Sequence, residues 1–361
     1  MWARWLVAVA GVGLVIVTLL SAIRTVVLPR ADASLITQLI FRTSAGVFRS
    51  LASERRSFGQ RDRVMALYAP VTLMLLPIAW LSLVGLGYTT LFWATGFGDF
   101  GESGWASASS LLTLGSVPLE SGVHHVLATT EAALGLGLLA LLISFLPAIY
   151  SAFARREQAV NLLEVRAGSP PTAVELLTRF HIIGWTRDLS STWERWEAWF
   201  AHIEESHLTY PALTWFRSPQ PDRSWVTAAG TVLDSAGIWL AAIEHPRDPQ
   251  APLCIRAGYL ALRRVAAFFG IQFDPDPAPT DPISIGRAEF DDALDHLAEA
   301  GLPVVVDREQ AWRDFAGWRV NYDTVLLELA ELTMAPYAPW VSDRSSLGHH
   351  RPRITRWGLK S

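Results

Sequence analysis

Three groups of residues in this chain have types and spacings that could do chemistry. The first is Thr113-Leu114-Gly115-Ser116-Val117-Pro118, a loop set between two long apolar segments. Backbone carbonyls and a threonine hydroxyl arranged around an axis can replace the hydration shell of a cation. The second is Glu131, an ionisable residue inside an apolar run. Carboxylates in such runs are costly and by default functional; its expected role is a hydrogen bond that braces the short helix before the loop. The third is His202, Glu205 and His207, just before Tyr210-Pro211. A helix puts His202 and Glu205 on one face, where they could share a metal. No third ligand is fixed by spacing, so helix-end capping is the expected role.

The elements that must position the loop are membrane spans. Leu6 to Leu28 is apolar except for Arg24, and about 20 apolar residues suffice to cross a bilayer as a helix. A cleavage site at Ser21-Ala22 would make it a signal peptide, but the run is long for one, and a retained span is expected. Val64 to Phe92 is the second span, holding Pro70 and Pro77, and Val126 to Phe153 the third, with Gly135, Gly137 and Pro147 inside it. Between them, Gly104 to Leu112 is small and apolar enough to dip into the membrane as a short helix. Its C-terminal dipole end would favour a cation. Irregular backbone at that depth must be buried in protein or line a water-filled cavity.

Arginine gives the orientation. Arg24, at the end of the first span, and Arg30, Arg42, Arg49, Arg55, Arg56, Arg61 and Arg63 lead up to the second, and Arg155 and Arg156 follow the third. The loop between the second and third spans carries Asp99, Glu102 and Glu120 and no basic residue. The positive-inside rule then places the basic linker and the C-terminal region in the cytoplasm, with the N-terminus and the loop outside. A plasma, or bacterial inner, membrane is expected. In the linker, Leu35, Ile36, Leu39, Ile40, Val47, Phe48 and Leu51 recur at helical spacing. They predict either an interfacial helix or a soluble helix packed on the cytoplasmic domain. His124 and His125 at the outer mouth could confer pH sensitivity or be ordinary interfacial histidines.

Composition narrows the class further. The chain has 361 residues, 51% of them hydrophobic, and a formal net charge of -4. That apolar share points to a membrane protein with a soluble part. Lys360 is the only lysine, so no polybasic nucleic-acid surface is expected. Cys254 is the only cysteine, which excludes an intrachain disulfide or a cysteine metal cluster.

Beyond Arg155 the text reads as helices. Ser169-Pro170-Pro171 predicts a helix start. Trp193, Trp196, Trp199, Phe200 and Ile203 mark one helix face, Ser224 to Glu244 and Ala251 to Ile271 two more helices, and Asp307 to Met334 one long amphipathic helix. Arg217 is expected to pair with Asp234, set in an apolar run where a buried charge needs a partner. Asp274 to Pro282 reads as an exposed linker, and the tail from Ser342 as partly disordered. No Gly-x-Gly-x-x-Gly appears after Arg155, and a helical bundle of about 200 residues is expected, large enough for its own core.

Ser110 to Gly115 (Ser-Leu-Leu-Thr-Leu-Gly), followed by Thr129 to Gly135 (Thr-Thr-Glu-Ala-Ala-Leu-Gly), resembles the tetrameric potassium-channel superfamily. It is similar in particular to bacterial members with a pore loop followed by an inner helix, over residues 64 to 157. The resemblance implies a homotetramer in the lipid bilayer, monovalent cations as permeant ions, and no further cofactor. Thr113, Leu114 and Gly115 match the start of the family's Thr-x-Gly-Tyr-Gly-Asp filter. Glu131 matches a glutamate early in the inner helix, and Gly135 or Gly137 the hinge glycine, with Pro147 a further hinge. Ser116-Val117-Pro118 departs from Tyr-Gly-Asp. A β-branched valine disfavours the left-handed angles that filter glycines adopt, and proline removes an amide donor. The implied filter is short and weakly selective.

The expected fold is an all-α membrane protein with three transmembrane helices, a re-entrant pore helix and loop, and a helical cytoplasmic bundle. The segments are 1-29, an N-terminal span; 30-63, a basic cytoplasmic linker; 64-157, a pore domain; 158-341, the helical domain; and 342-361, a flexible tail. The expected function is a cation channel gated through the third span by the cytoplasmic domain, not an enzyme, with an unknown cytoplasmic ligand as a further partner. Two alternatives stand beside it. One is a non-conducting receptor or scaffold of the same architecture; the other is a membrane-bound metal enzyme using the His202 cluster.

Overall fold

Long runs without a charge to solvate or a chain break to accommodate become long helices, and three of them dominate the first part of the chain. The computed structural model describes residues 2–28, 34–52, 57–185 and 188–345. Its helices are α1 (Trp2–Val26), α2 (Leu35–Leu51), α3 (Phe58–Ala66), α4 (Tyr68–Ala94), α5 (Phe100–Leu111), α6 (Gly122–Ala167), α7 (Ala173–Ile182), α8 (Leu189–Thr209), α9 (Trp225–Ala242), α10 (Gln250–Phe268), α11 (Arg287–Glu299), α12 (Arg308–Arg319) and α13 (Asp323–Thr333). No strand forms among the described residues; Ile243 and Val304 make one isolated bridge. The protein is all-helical. α1, α4 with the preceding α3, and α6 are each long and apolar enough to cross a membrane. α6 outruns the predicted third span at both ends, reaching 46 residues. Arg30, Arg55 and Arg56 lie outside the described residues, as does the chain from 346 onward.

The chain divides into two units. One holds the residues up to Ser53 together with Val64–Ser151; the other holds Glu54–Arg63 with Ala152–Ser361. In the first unit α1 lies along α4, and small residues set their spacing. A Cβ on Gly87 would stand 2.6 Å from Val15 Cγ2 and 3.0 Å from the Gly11 carbonyl oxygen. In lipid, such close backbone approach replaces hydrophobic driving force as the source of helix association. Trp80 Nε1 donates to Ser21 Oγ at 3.1 Å, fixing the register. α2 packs within this unit: Tyr68 donates to the Phe41 carbonyl at 3.2 Å and lies edge-on to Phe41 and Phe48. Leu35, Leu39, Val47 and Leu51 stay exposed on its other face.

The second unit is built around α9, whose residues are buried all round, Asp234 included. α7, α10, α12 and α13 pack against it, an arrangement that explains why its sequence is apolar without periodicity. Two expectations are corrected here. The helix after Ser169-Pro170-Pro171 starts at Ala173, capped by Thr172, whose hydroxyl accepts from Glu175 N at 3.1 Å. Asp307 to Met334 is two helices, not one: the chain breaks after Arg319 so that Arg319 and Tyr322 can both reach Asp234. The segment after Ser342 is anchored at first, with Arg344 bonding the Ser284 carbonyl and Glu289.

Candidate functional site

α5 is a 12-residue helix, begun by a reciprocal capping box between Asp99 and Glu102 and packed against α4. It stops through its backbone. Leu114 N donates to the Ser109 carbonyl at 2.8 Å and Thr113 N to the Ser110 carbonyl at 3.0 Å, a Schellman motif with Thr113 in the left-handed position normally held by glycine. Thr113 has φ 56° and Gly115 φ 62°. Ser116 then ties the loop back to the helix: its amide donates to Ser109 Oγ at 2.9 Å, and the two hydroxyls lie 3.0 Å apart. Thr113, Leu114, Gly115, Ser116 and Pro118 are exposed in the single chain, and Val117 is half-buried. Glycine at 113 relieves the left-handed strain, worth about 1–2 kcal/mol. Thr113→Gly should therefore raise the melting temperature, read by thermal denaturation in detergent.

Behind α5 lies Glu131, on α6 and 0% exposed. Ser107 Oγ is 2.5 Å from Glu131 Oε1 and 2.9 Å from the Gly85 carbonyl oxygen. One serine thus links α5 to both long helices, and Tyr88 on α4 adds a second link by donating to Thr130 at 3.0 Å. Glu131 Oε2 has no hydrogen-bond partner. The two glycines of α6 differ. A Cβ on Gly135 would sit 2.5 Å from the Leu111 carbonyl oxygen, whereas Gly137 meets nothing within 4 Å. Gly135 is the seat of the C-terminal end of α5, and Pro147 lies further along the same helix. Near the loop, a cavity of about 740 Å³ is lined by Phe97, Glu102, Trp105, Pro118, Glu120 and His124. His124 is buried, edge-on to Phe97, with Nε2 unpartnered; His125 is exposed.

In the second unit the predicted His202 cluster diverges. His202 Nε2 faces the Ala152 carbonyl at 3.4 Å, and His207 points into the core. His207 Nδ1 donates to the Ile203 carbonyl at 3.0 Å, leaving Nε2 to accept from Arg156 Nη1 at 3.4 Å. A neighbouring guanidinium is hostile to a metal ion, and no group of three His, Cys, Asp or Glu side chains among the described residues is arranged to hold one. Burial, with Arg156 beside it, holds the His207 pKa well below the ordinary 6.5. The folded state then resists a proton that the unfolded chain accepts, so stability present above about pH 6.5 is lost as pH falls. Melting temperature measured between pH 7 and 5 should drop more for the native chain than for His207→Gln.

Arg217 does not pair with Asp234, as the sequence suggested. Its Nη1 bonds Asp62 at 2.5 Å, and its guanidinium also donates to the Thr333 and Met334 carbonyls. Asp234 is taken by Arg319, in two contacts of 2.5 and 2.7 Å. Sequence reasoning missed Arg156, which is 1% exposed. It donates to the Leu213 and Phe216 carbonyls at 2.8 and 2.7 Å and to Glu157 at 2.9 Å. The one signal was its place in an Arg-Arg-Glu run directly after an apolar span, where it read as a topology charge. No family model, curated protein or solved structure matches this chain.

Proposed function

We propose that the protein is a homotetrameric cation channel of the inner membrane, with a short, weakly selective filter at Thr113–Pro118. The supporting observation is the braced arrangement around α5. A short helix lies between two membrane-length helices, ends in a loop with left-handed Thr113 and Gly115, and is pinned from behind by Glu131 through Ser107. In this reading the α5 dipole and exposed loop carbonyls meet a partly dehydrated cation. The acidic cavity near the loop concentrates cations, and Leu112 and Leu114 pack against neighbouring subunits. α6 is the inner helix, and its movement is governed by the cytoplasmic unit. The N-terminus is outside and the C-terminus cytoplasmic.

Full-length protein in liposomes should pass potassium and sodium with less than about a hundredfold preference, exclude chloride, and have a tetrameric mass in detergent. A monomer would end the pore reading. The bond from Ser116 back to Ser109 favours a second reading, a non-conducting receptor or scaffold, because it folds the loop onto its helix. A tetramer without flux would select it.

A further inference from the structure

The segment after α8 turns through a 3-10 helix, Pro211–Trp215, and a Phe216-Arg217-Ser218-Pro219 bend before α9 begins at its cap, Ser224. Between the bend and the start of α9 is a small, partly open pocket of about 20 Å³, room for one water-sized particle. Its wall includes Thr214, Arg217, Ser218, Arg223, Ser224 and Trp225 and no Asp or Glu; Asp62 and Glu164 pair with the two arginines from outside this lining.

Three polar atoms on this wall have no partner: Thr214 Oγ1, Ser218 Oγ and Arg223 Nε. Thr214 is 1% and Ser218 8% exposed, so neither group is satisfied by bulk solvent, and leaving such groups unmet costs about 1–3 kcal/mol each. An Arg Nε–H can only donate, and each hydroxyl brings a hydrogen. Asn161 and Glu164 hold the other nitrogens of Arg223, aiming Nε inward. Ser224 accepts from Val226 N, which leaves its own hydrogen to donate. The positive end of the 18-residue α9 adds to this set.

We infer that this pocket binds a single small anion of chloride size, held by Thr214, Ser218 and Arg223 at the N-terminus of α9. The small volume suits a monoatomic ion better than an oxyanion. The inference does not depend on ion conduction by the membrane unit. The occupant sits against Phe216 and Arg217, which receive Arg156 and Asp62, so binding stiffens the segment on which those contacts converge.

The test uses full-length protein in detergent, with chloride exchanged for gluconate at constant ionic strength. A saturable rise in melting temperature of about 3 °C is expected, lost in the Thr214→Val, Ser218→Ala double variant. Equal melting temperatures in the two salts, or an undiminished rise in the variant, would overturn the assignment, as would a rise with inorganic phosphate alone. Should the variant fail to fold, crystals of the native chain grown in bromide decide the matter. An anomalous peak in this pocket supports the site; ordered water without one refutes it.

Discussion

Replacing Arg319 by leucine should destabilise the second unit by about 3–5 kcal/mol and lower its melting temperature by on the order of 10 °C. Arg319 is 0% and Asp234 2% exposed. The guanidinium serves Asp234 on α9, Asp323 at the start of α13 at 2.7 Å, and the Trp340 carbonyl at 2.7 Å. Burial opposes its charge, but Asp234 and Asp323 outweigh that and push its pKa above the ordinary value. Leucine removes the cation and leaves Asp234 in an apolar helix with only the Tyr322 hydroxyl, at 2.9 Å, as partner. The cost is mainly that of the stranded carboxylate and not the net worth of the pair. The double replacement of Arg319 and Asp234 by leucine and asparagine should therefore cost less than the sum of the two single changes. Additive costs in chemical denaturation of the full chain would refute this account.

Gly135→Ala should reduce cation flux by at least about tenfold and lower stability by about 1–3 kcal/mol, while Gly137→Ala should leave both intact or improve stability slightly. The contrast rests on space. The added methyl at 135 meets the Leu111 carbonyl oxygen at 2.5 Å, a backbone atom that cannot rotate away, and Leu111 Cδ1 at 3.2 Å. Relief requires α5 to move, and α5 presents the loop. At 137 the methyl enters open space and gains the helix propensity of alanine, up to about 1 kcal/mol. Paired flux and melting measurements on the two variants check this. Equal behaviour would show that close packing of α5 on α6 does not set the loop geometry.

Some of this architecture was legible in the sequence because its causes are local. Twenty or more apolar residues, an acidic cap at Asp99 and a Thr-Leu-Gly stop are written in consecutive positions, so three membrane-length helices and the short α5 follow directly. Glu131 stands out in the sequence for its place in an apolar run, and in the structure it accepts a hydrogen bond from Ser107 on α5. Charge partners were not legible. Asp62, Asp234 and Arg319 lie far apart in the chain, and no single-sequence pattern says that Arg217 chooses the first and leaves the second to Arg319. The break after Arg319 was hidden for the same reason: the apolar period runs through it, and a buried ion pair overrides the period. Gly135 and Gly137 were indistinguishable as letters; only the approach of the Leu111 carbonyl separates a seat from a spare position.

The contacts of Asp62 and Arg156 have one more consequence. Asp62 immediately precedes the Val64–Ser151 part of the membrane unit, and Arg156 follows it closely. Both are gripped by the same few residues, Leu213 to Arg217. In topological terms, this part of the chain is a long insertion whose two stems are stapled to a common point. Closing a loop of this length has an entropic cost, and here the polar contacts of Asp62 and Arg156 offset it. A fragment starting at Ala152 would lack the carboxylate that Arg217 meets.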